Sequence, residues 1–197
     1  MQPISEGRLL ELLQKYDALM QECLEADEVF VGQFGLHVDH SRQLKALCLI
    51  CARQCATPEE AANIVASYFG DAWLLNVDWT KAIGEFARGR GLPEFPMGFG
   101  GGEASRWQIA CRSTKRLSEL LKERIGICLS YSFTLGIVLK VTGLAEEVWL
   151  GTCAVGDAMH MVVLTEGPHC AFDLSHRAHT GELDFPNDVE IEGKFQL

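Results

Sequence analysis

The sequence predicts an α+β fold in which a helical first half precedes a small antiparallel sheet. Apolar residues recur at three-to-four spacing through much of the chain before residue 124, which is the helical period. After Gly143 the pattern changes to short apolar runs bounded by Gly, Asp and Pro, which is typical of strands. Helices therefore come first and strands afterwards, rather than in the alternation of a parallel α/β sheet.

We expect a single domain over 1–197, with a helical prelude over 1–88, a Gly- and Pro-rich loop over 89–102 and a core over 103–197. In the prelude, helices are predicted from about Ser5 to Ala26, after Asp39 or Ser41 as far as Cys55, from Thr57 to near Gly70, and over 73–87. Thr57-Pro58-Glu59-Glu60 is a strong start signal, because it joins an N-cap, a first-turn proline and two acids at the positive end of the dipole.

The predicted core begins with a helix and continues into strands. A helical pattern covers about 103–123, and an apolar run of helical length opens at Ile125. The short strands are predicted at 148–150, 159–165 and 170–174, with a last strand over 189–195.

Composition excludes several classes of protein. The chain has 197 residues, of which 48% are hydrophobic and 22% are charged, as in ordinary globular proteins. Its formal charge is 17 − 27 = −10, which argues against nucleic-acid binding. The longest apolar stretch, Ile125 to Val141, is interrupted by two serines, a threonine and a lysine, so no membrane span is expected.

The first residues lack the basic-then-apolar layout of a secretory signal. We therefore expect a cytoplasmic protein whose eight cysteines are reduced. Secretion by a signal-independent route would leave the same sequence.

The stretch richest in chemical information surrounds Cys128. Gly126 lies two residues before this cysteine, and a nearly continuous apolar run follows it. The pattern predicts a thiol at the N-terminus of a buried helix. At such a position the unpaired N–H groups and the helix dipole favour a thiolate, and the same N–H groups can stabilise an oxyanion.

His160 and Asp173 complete a candidate catalytic triad. Each is predicted on a short strand, and residues 166–169 would join the two strands as a hairpin. This hairpin would bring the imidazole and the carboxylate side by side, as a base with the group that orients it.

These residues resemble the transglutaminase-like cysteine enzyme superfamily. Gly126-Ile127-Cys128 opens a helix, His160 precedes a Val-rich strand, and Phe172-Asp173-Leu174-Ser175 follows, which matches that family's order of motifs. The resemblance covers about Leu117 to Ser175. The sequence departs from the family pattern at Leu129-Ser130-Tyr131 and at Met161.

The resemblance implies a papain-like fold with the cysteine helix packed on an antiparallel sheet. It also implies a cofactor-independent enzyme that acts on a protein or peptide through a thioester at Cys128. Hydrolysis of a peptide, isopeptide or glutamine side-chain amide, by a protease or a deamidase, is the simplest version. The alternatives are a transglutaminase that joins glutamine to an amine, and an inactive binding module with the same fold.

The sequence upstream of Cys128 offers one candidate for a second oxyanion donor. Papain-like enzymes use an upstream Gln or aromatic residue for this purpose, and Gln108 beside Trp107 is the candidate here. A core tryptophan with an exposed neighbour is the alternative. The Gly98–Gly102 run lacks the Lys-Ser/Thr of a phosphate loop and is better suited to a lid.

Metal binding is the remaining hypothesis. Three cysteines lie on one helix face, and we expect them to pack in the core rather than to hold a metal, because no fourth ligand is evident. Two histidine pairs lie in predicted loops, and two further cysteines are expected on strands near His160 as packing thiols. The helical cysteines are Cys48, Cys51 and Cys55. The histidine pairs are His37 with His40 and His176 with His179, and the strand cysteines are Cys153 and Cys170.

Overall fold

A computed structural model describes residues 4–69, 112–155, 158–166, 171–174 and 190–197. The helix predicted over 73–87 and the loop over 89–102 lie outside the described residues. The helices are α1 (Glu6–Glu25), α2 (Asp27–Phe34), α3 (Arg42–Gln54), α4 (Pro58–Phe69), α5 (Leu117–Glu123) and α6 (Cys128–Thr142). The strands are β1 (Leu36–His37), β2 (Lys115–Arg116), β3 (Val148–Val155), β4 (Ala158–Thr165), β5 (Ala171–Phe172) and β6 (Gly193–Gln196).

Three helices of the first half, α1, α3 and α4, begin where their capping residues predict, whereas α2 was not predicted and has no side-chain cap. The Ser5 hydroxyl accepts from the Arg8 N–H at the start of α1, and the Ser41 hydroxyl accepts from the Leu44 N–H at the start of α3. Thr57 does the same for α4 through the N–H of Glu60. The predicted helices α1, α3 and α4 are confirmed, and the α+β class with them.

The prediction of a helix over about 103–123 is confirmed at Leu117–Glu123 and wrong over 112–116. Helix α5 begins only at Leu117, because the residues before it pair with the first half of the chain. The Lys115 N–H donates to the Gly35 carbonyl, and β2 runs parallel to β1. The Asp39 carboxylate then accepts from both the N–H and the hydroxyl of Ser118, which caps α5 from outside the helix.

The second half forms a four-stranded antiparallel sheet with the order β5-β4-β3-β6. The central pair β3–β4 places Cys153 opposite His160, and β4 pairs with β5 through Val163 and Phe172. The predicted antiparallel sheet is confirmed, and its last strand lies at Gly193–Gln196 rather than 189–195.

Helix α6 is the centre of the fold. Twelve of its fifteen residues are buried, and it packs against α1, α3 and α4 on one side and against β3 and β4 on the other. Phe133 of α6 meets the Phe30 ring edge to face at 5.1 Å, and Phe30 in turn meets Phe195 of β6. The cysteine that begins this helix is therefore fixed by packing on both layers.

Within the residues described, no single helix is long and apolar enough to cross a membrane. Helices α5 and α6 pass that test of length and composition only as a pair, and the chain bends by 100° between them.

Replacing Gly126 with Ala should destabilise the protein by about 1–3 kcal/mol, because a methyl group there would overlap the Tyr131 ring. That ring is buried and packs against Phe69 at 4.7 Å, so it has little room to move. Urea unfolding measures the loss of free energy.

Gly32→Ala is the matched control, since nothing lies within 4 Å of the added methyl in helix α2. It should leave stability unchanged or raise it by up to about 1 kcal/mol. Equal effects of the two substitutions would contradict the steric explanation.

Candidate active site

Cys128 is the first residue of α6 and is half-buried. The N-cap residue Ile127 has an extended backbone, with φ −126° and ψ 162°, and its side chain offers no acceptor. Instead, the backbone N–H of Ile127 donates to the Ser130 hydroxyl at 2.9 Å, so the side chain that takes part in capping comes from the first turn of the helix and not from the N-cap residue. The N-cap thus leaves the first-turn N–H groups beside the thiol without a side-chain acceptor.

His160 and Asp173 lie side by side, as the predicted hairpin requires. His160 Nε2 is 2.8 Å from Asp173 Oδ2, and the two side chains are 16% and 7% exposed. Strand β4 supplies the imidazole, and the carboxylate follows directly after β5. The pairing of β4 with β5 places the two side chains together.

The Cys128 thiol completes the cluster, because it lies close enough to the His160 imidazole to raise the pKa of that ring. Since Asp173 Oδ2 lies against Nε2, we expect Nδ1 to be the ring nitrogen that serves the sulfur. The structure therefore brings together all three residues that the sequence singles out, although their roles in a reaction stay a prediction.

The charge state of His160 follows from these neighbours. Burial lowers the pKa of the imidazole, but its interactions with Asp173 and with Cys128 raise that pKa by more than burial lowers it, and the pKa reaches about 10. The ring is therefore a cation at neutral pH, between a carboxylate and a sulfur. A cation against the sulfur is the electrostatic setting of a reactive cysteine.

The other described cysteines have a different environment. Burial raises the pKa of Cys23 and of Cys48 to about 12, and it raises the pKa of Cys51, Cys55 and Cys153 as well. Such thiols stay protonated and unreactive at neutral pH.

The three cysteines of α3 pack as expected. Cys48 and Cys51 belong to the hydrophobic core, and Cys55 packs against it. Among the residues placed by the structure, no group of three His, Cys, Asp or Glu side chains is arranged to hold a metal ion.

Two of the candidate histidines have local structural partners. His37 lies in β1 rather than in a loop, and its Nδ1 is 2.8 Å from an Asp27 carboxylate oxygen. The His40 ring lies 5.9 Å from that of Tyr16. The other candidates fall outside the described ranges: Trp107, Gln108, Gly98–Gly102, Cys170, His176 and His179.

Two serines of α6 contribute to the site but were not predicted. Ser130 closes the turn that begins the helix, and a serine three residues after an N-cap is a signal that the sequence does carry. The Ser132 hydroxyl donates to the Met161 carbonyl of β4 at 3.0 Å. The sequence holds no signal for this second bond, because it depends on how helix and sheet meet.

Comparison with protein-family models, with curated proteins and with solved structures gives no match.

Replacing Asp173 with Asn should lower the stability of the protein in a pH-dependent way. The pKa of His160 is about 10 in the folded protein and about 6.5 in the unfolded chain, so the attraction between imidazolium and carboxylate contributes fully below about pH 6.5. It is lost as the pH rises through about 10. Urea unfolding should thus show a wide free-energy gap between wild type and variant at pH 6 and a narrow one near pH 10.

Asp27→Asn provides the matched control, because it alters the His37–Asp27 pair, in which both side chains are 31% exposed. Solvent screens that pair, so the gap should be small at both pH values. A gap for Asp173→Asn that is constant or widens with pH would contradict the assigned interaction.

Proposed function

We propose that this protein is a cysteine-dependent acyl-transfer enzyme that hydrolyses a peptide, isopeptide or glutamine side-chain amide. The observation that supports this most directly is the His160 imidazole held between the Asp173 carboxylate, at 2.8 Å, and the Cys128 thiol. A nucleophile, a proton carrier and an orienting acid in contact are the parts that thioester chemistry requires.

In the first step, the Cys128 thiolate attacks the carbonyl carbon of the amide and a C–S bond forms. When the intermediate collapses, the C–N bond breaks and the imidazolium proton of His160 passes to the departing nitrogen. The products of this step are a thioester, a free amine or ammonia, and a neutral imidazole.

In the second step, water attacks the thioester carbonyl while His160 takes its proton. The C–S bond then breaks, a carboxylic acid leaves, and the thiolate–imidazolium pair is restored. An amine in place of water would give transamidation through the same thioester. Asp173 holds the imidazole in one orientation throughout, and its negative charge favours the imidazolium.

The start of α6 supports stabilisation of the oxyanion. Ile127 leaves the N–H groups of the first turn without a side-chain acceptor, and they lie next to the sulfur. The fifteen-residue helix adds its dipole at the same point. Donors that are fixed before the reaction stabilise developing charge without reorganisation.

The arrangement of elements also agrees with the papain-like core that the sequence resemblance implies. A buried helix begins with the cysteine and packs on an antiparallel sheet, the histidine lies on one strand of that sheet, and the acid directly follows the neighbouring strand. We propose that the chain has this fold, with Cys128, His160 and Asp173 as its catalytic residues.

Iodoacetamide at pH 6 should alkylate Cys128 at least about tenfold faster than any of Cys23, Cys48, Cys51, Cys55 and Cys153, because only a thiolate reacts appreciably. Peptide mass spectrometry measures the rate at each site. His160→Gln should remove this advantage, since it removes the cation beside the sulfur. Equal labelling of these six cysteines would favour a binding module without thiol chemistry.

Cys128→Ala should lower amide hydrolysis by at least about 10³-fold while it changes the melting temperature by only a few degrees. Release of ammonia from glutamine-containing proteins, and of new amino groups from peptides, provides the two assays. Cys55→Ala is the control, because Cys55 is also half-buried but lies away from His160. Full turnover by Cys128→Ala would rule out the proposed mechanism.

A further inference from the structure

The four serines and threonines of α6 differ in what they contact. Ser130 bonds to backbone groups at the start of the helix, and Thr142 bonds to the Val138 carbonyl within it. The Thr134 hydroxyl is buried and has no hydrogen-bond partner among the residues described. Ser132 differs from all three, because its hydroxyl crosses to the sheet and donates to the Met161 carbonyl at 3.0 Å.

This hydrogen bond lies directly beside the candidate active site. Ser132 follows Cys128 by four residues, so it lies one helical turn, or about 5.4 Å, further along the same face of α6. Met161 is the residue after His160 on β4. Both Ser132 and Met161 are almost fully buried, at 3% and 2% exposure, so water does not compete for the bond.

We infer that Ser132 is a positioning residue: its hydrogen bond to the Met161 carbonyl fixes helix α6 against strand β4 and thereby holds the Cys128 thiol in contact with the His160 imidazole. This inference rests on the proposed function for its biological meaning. The position of helix α6 relative to strand β4 can, however, be tested without a substrate.

The Ser132–Met161 hydrogen bond should affect the approach of Cys128 to the imidazole and not that of Asp173. Asp173 reaches His160 from the chain after β5, whereas Cys128 reaches it from α6. The Cys153 thiol lies opposite on β3, close enough to Asp173 and Cys128 for their charges to raise its pKa, and Glu192 acts on it in the same direction. Loss of the Ser132 bond should therefore weaken the contact with sulfur and leave the contact with the carboxylate in place.

Ser132→Ala tests the inference, because alanine is smaller and fits without displacing a neighbour. Ser132→Thr keeps the hydroxyl at the same position and serves as the rescue variant. Thr134→Val is the matched control, since it removes a buried hydroxyl from the same helix where no described partner is lost. Two readouts are taken on each variant: the rate of Cys128 alkylation by iodoacetamide from pH 6 to 9.5, and the NMR titration of His160.

In Ser132→Ala, we expect alkylation at pH 6 to fall about tenfold while the rate at pH 9.5 stays within about twofold of wild type, because alkaline solution deprotonates cysteines in general and makes a neighbouring cation less important. The His160 titration should move to lower pH. Ser132→Thr should restore both readouts, and Thr134→Val should leave both unchanged. A general loosening of the helix would instead affect Ser132→Ala and Thr134→Val alike.

The outcomes separate this inference from the proposed function. Selective labelling of Cys128 in wild type, with an unchanged profile and titration in Ser132→Ala, would overturn the positioning role alone. Absence of selective labelling in wild type, together with a shifted His160 titration in Ser132→Ala, would overturn the proposed function and support the positioning role. An unchanged His160 titration in Ser132→Ala overturns the positioning role whatever the labelling shows.

Discussion

The burial of helix α6 between the helical layer and the sheet is the constraint on which the rest of the molecule depends. Twelve of its fifteen residues are buried, so the helix cannot slide or rotate without disrupting contacts to both layers. The position of its first residue is therefore fixed by the whole core. The backbone that carries the thiol therefore cannot move without moving the packed helix with it.

The site holds a charged imidazole in a largely buried position, and its two neighbours offset the cost of burying that charge. A protonated imidazole that is 16% exposed loses much of its hydration, which opposes its charge. The carboxylate at 2.8 Å and the sulfur on the other side offset that cost. The imidazolium is thus a product of its neighbours rather than a property of histidine, and removing either neighbour changes the charge state of the whole cluster.

The sequence predicted those parts of the fold whose signals are local. Ser5, Ser41 and Thr57 each carry the hydroxyl that begins a helix, and each helix is found where its cap predicts. The sheet and the His160–Asp173 hairpin were predictable because short apolar runs and turn residues alternate within a few positions. The start of α5 was not, since Asp39 caps Ser118 across 79 positions of sequence.

The same distinction explains why Ser132 was missed and why it matters. In the sequence, this serine is one interruption in an apolar helix and cannot be told apart from Thr134. In the fold, one hydroxyl binds the strand that carries the histidine, and the other has no partner among the described residues. A buried hydroxyl that reaches a neighbouring element favours one arrangement of the two, because another arrangement deprives the hydroxyl of this acceptor. Apolar packing supplies most of the attraction between α6 and β4, but the directional bond selects the registry in which sulfur and imidazole meet.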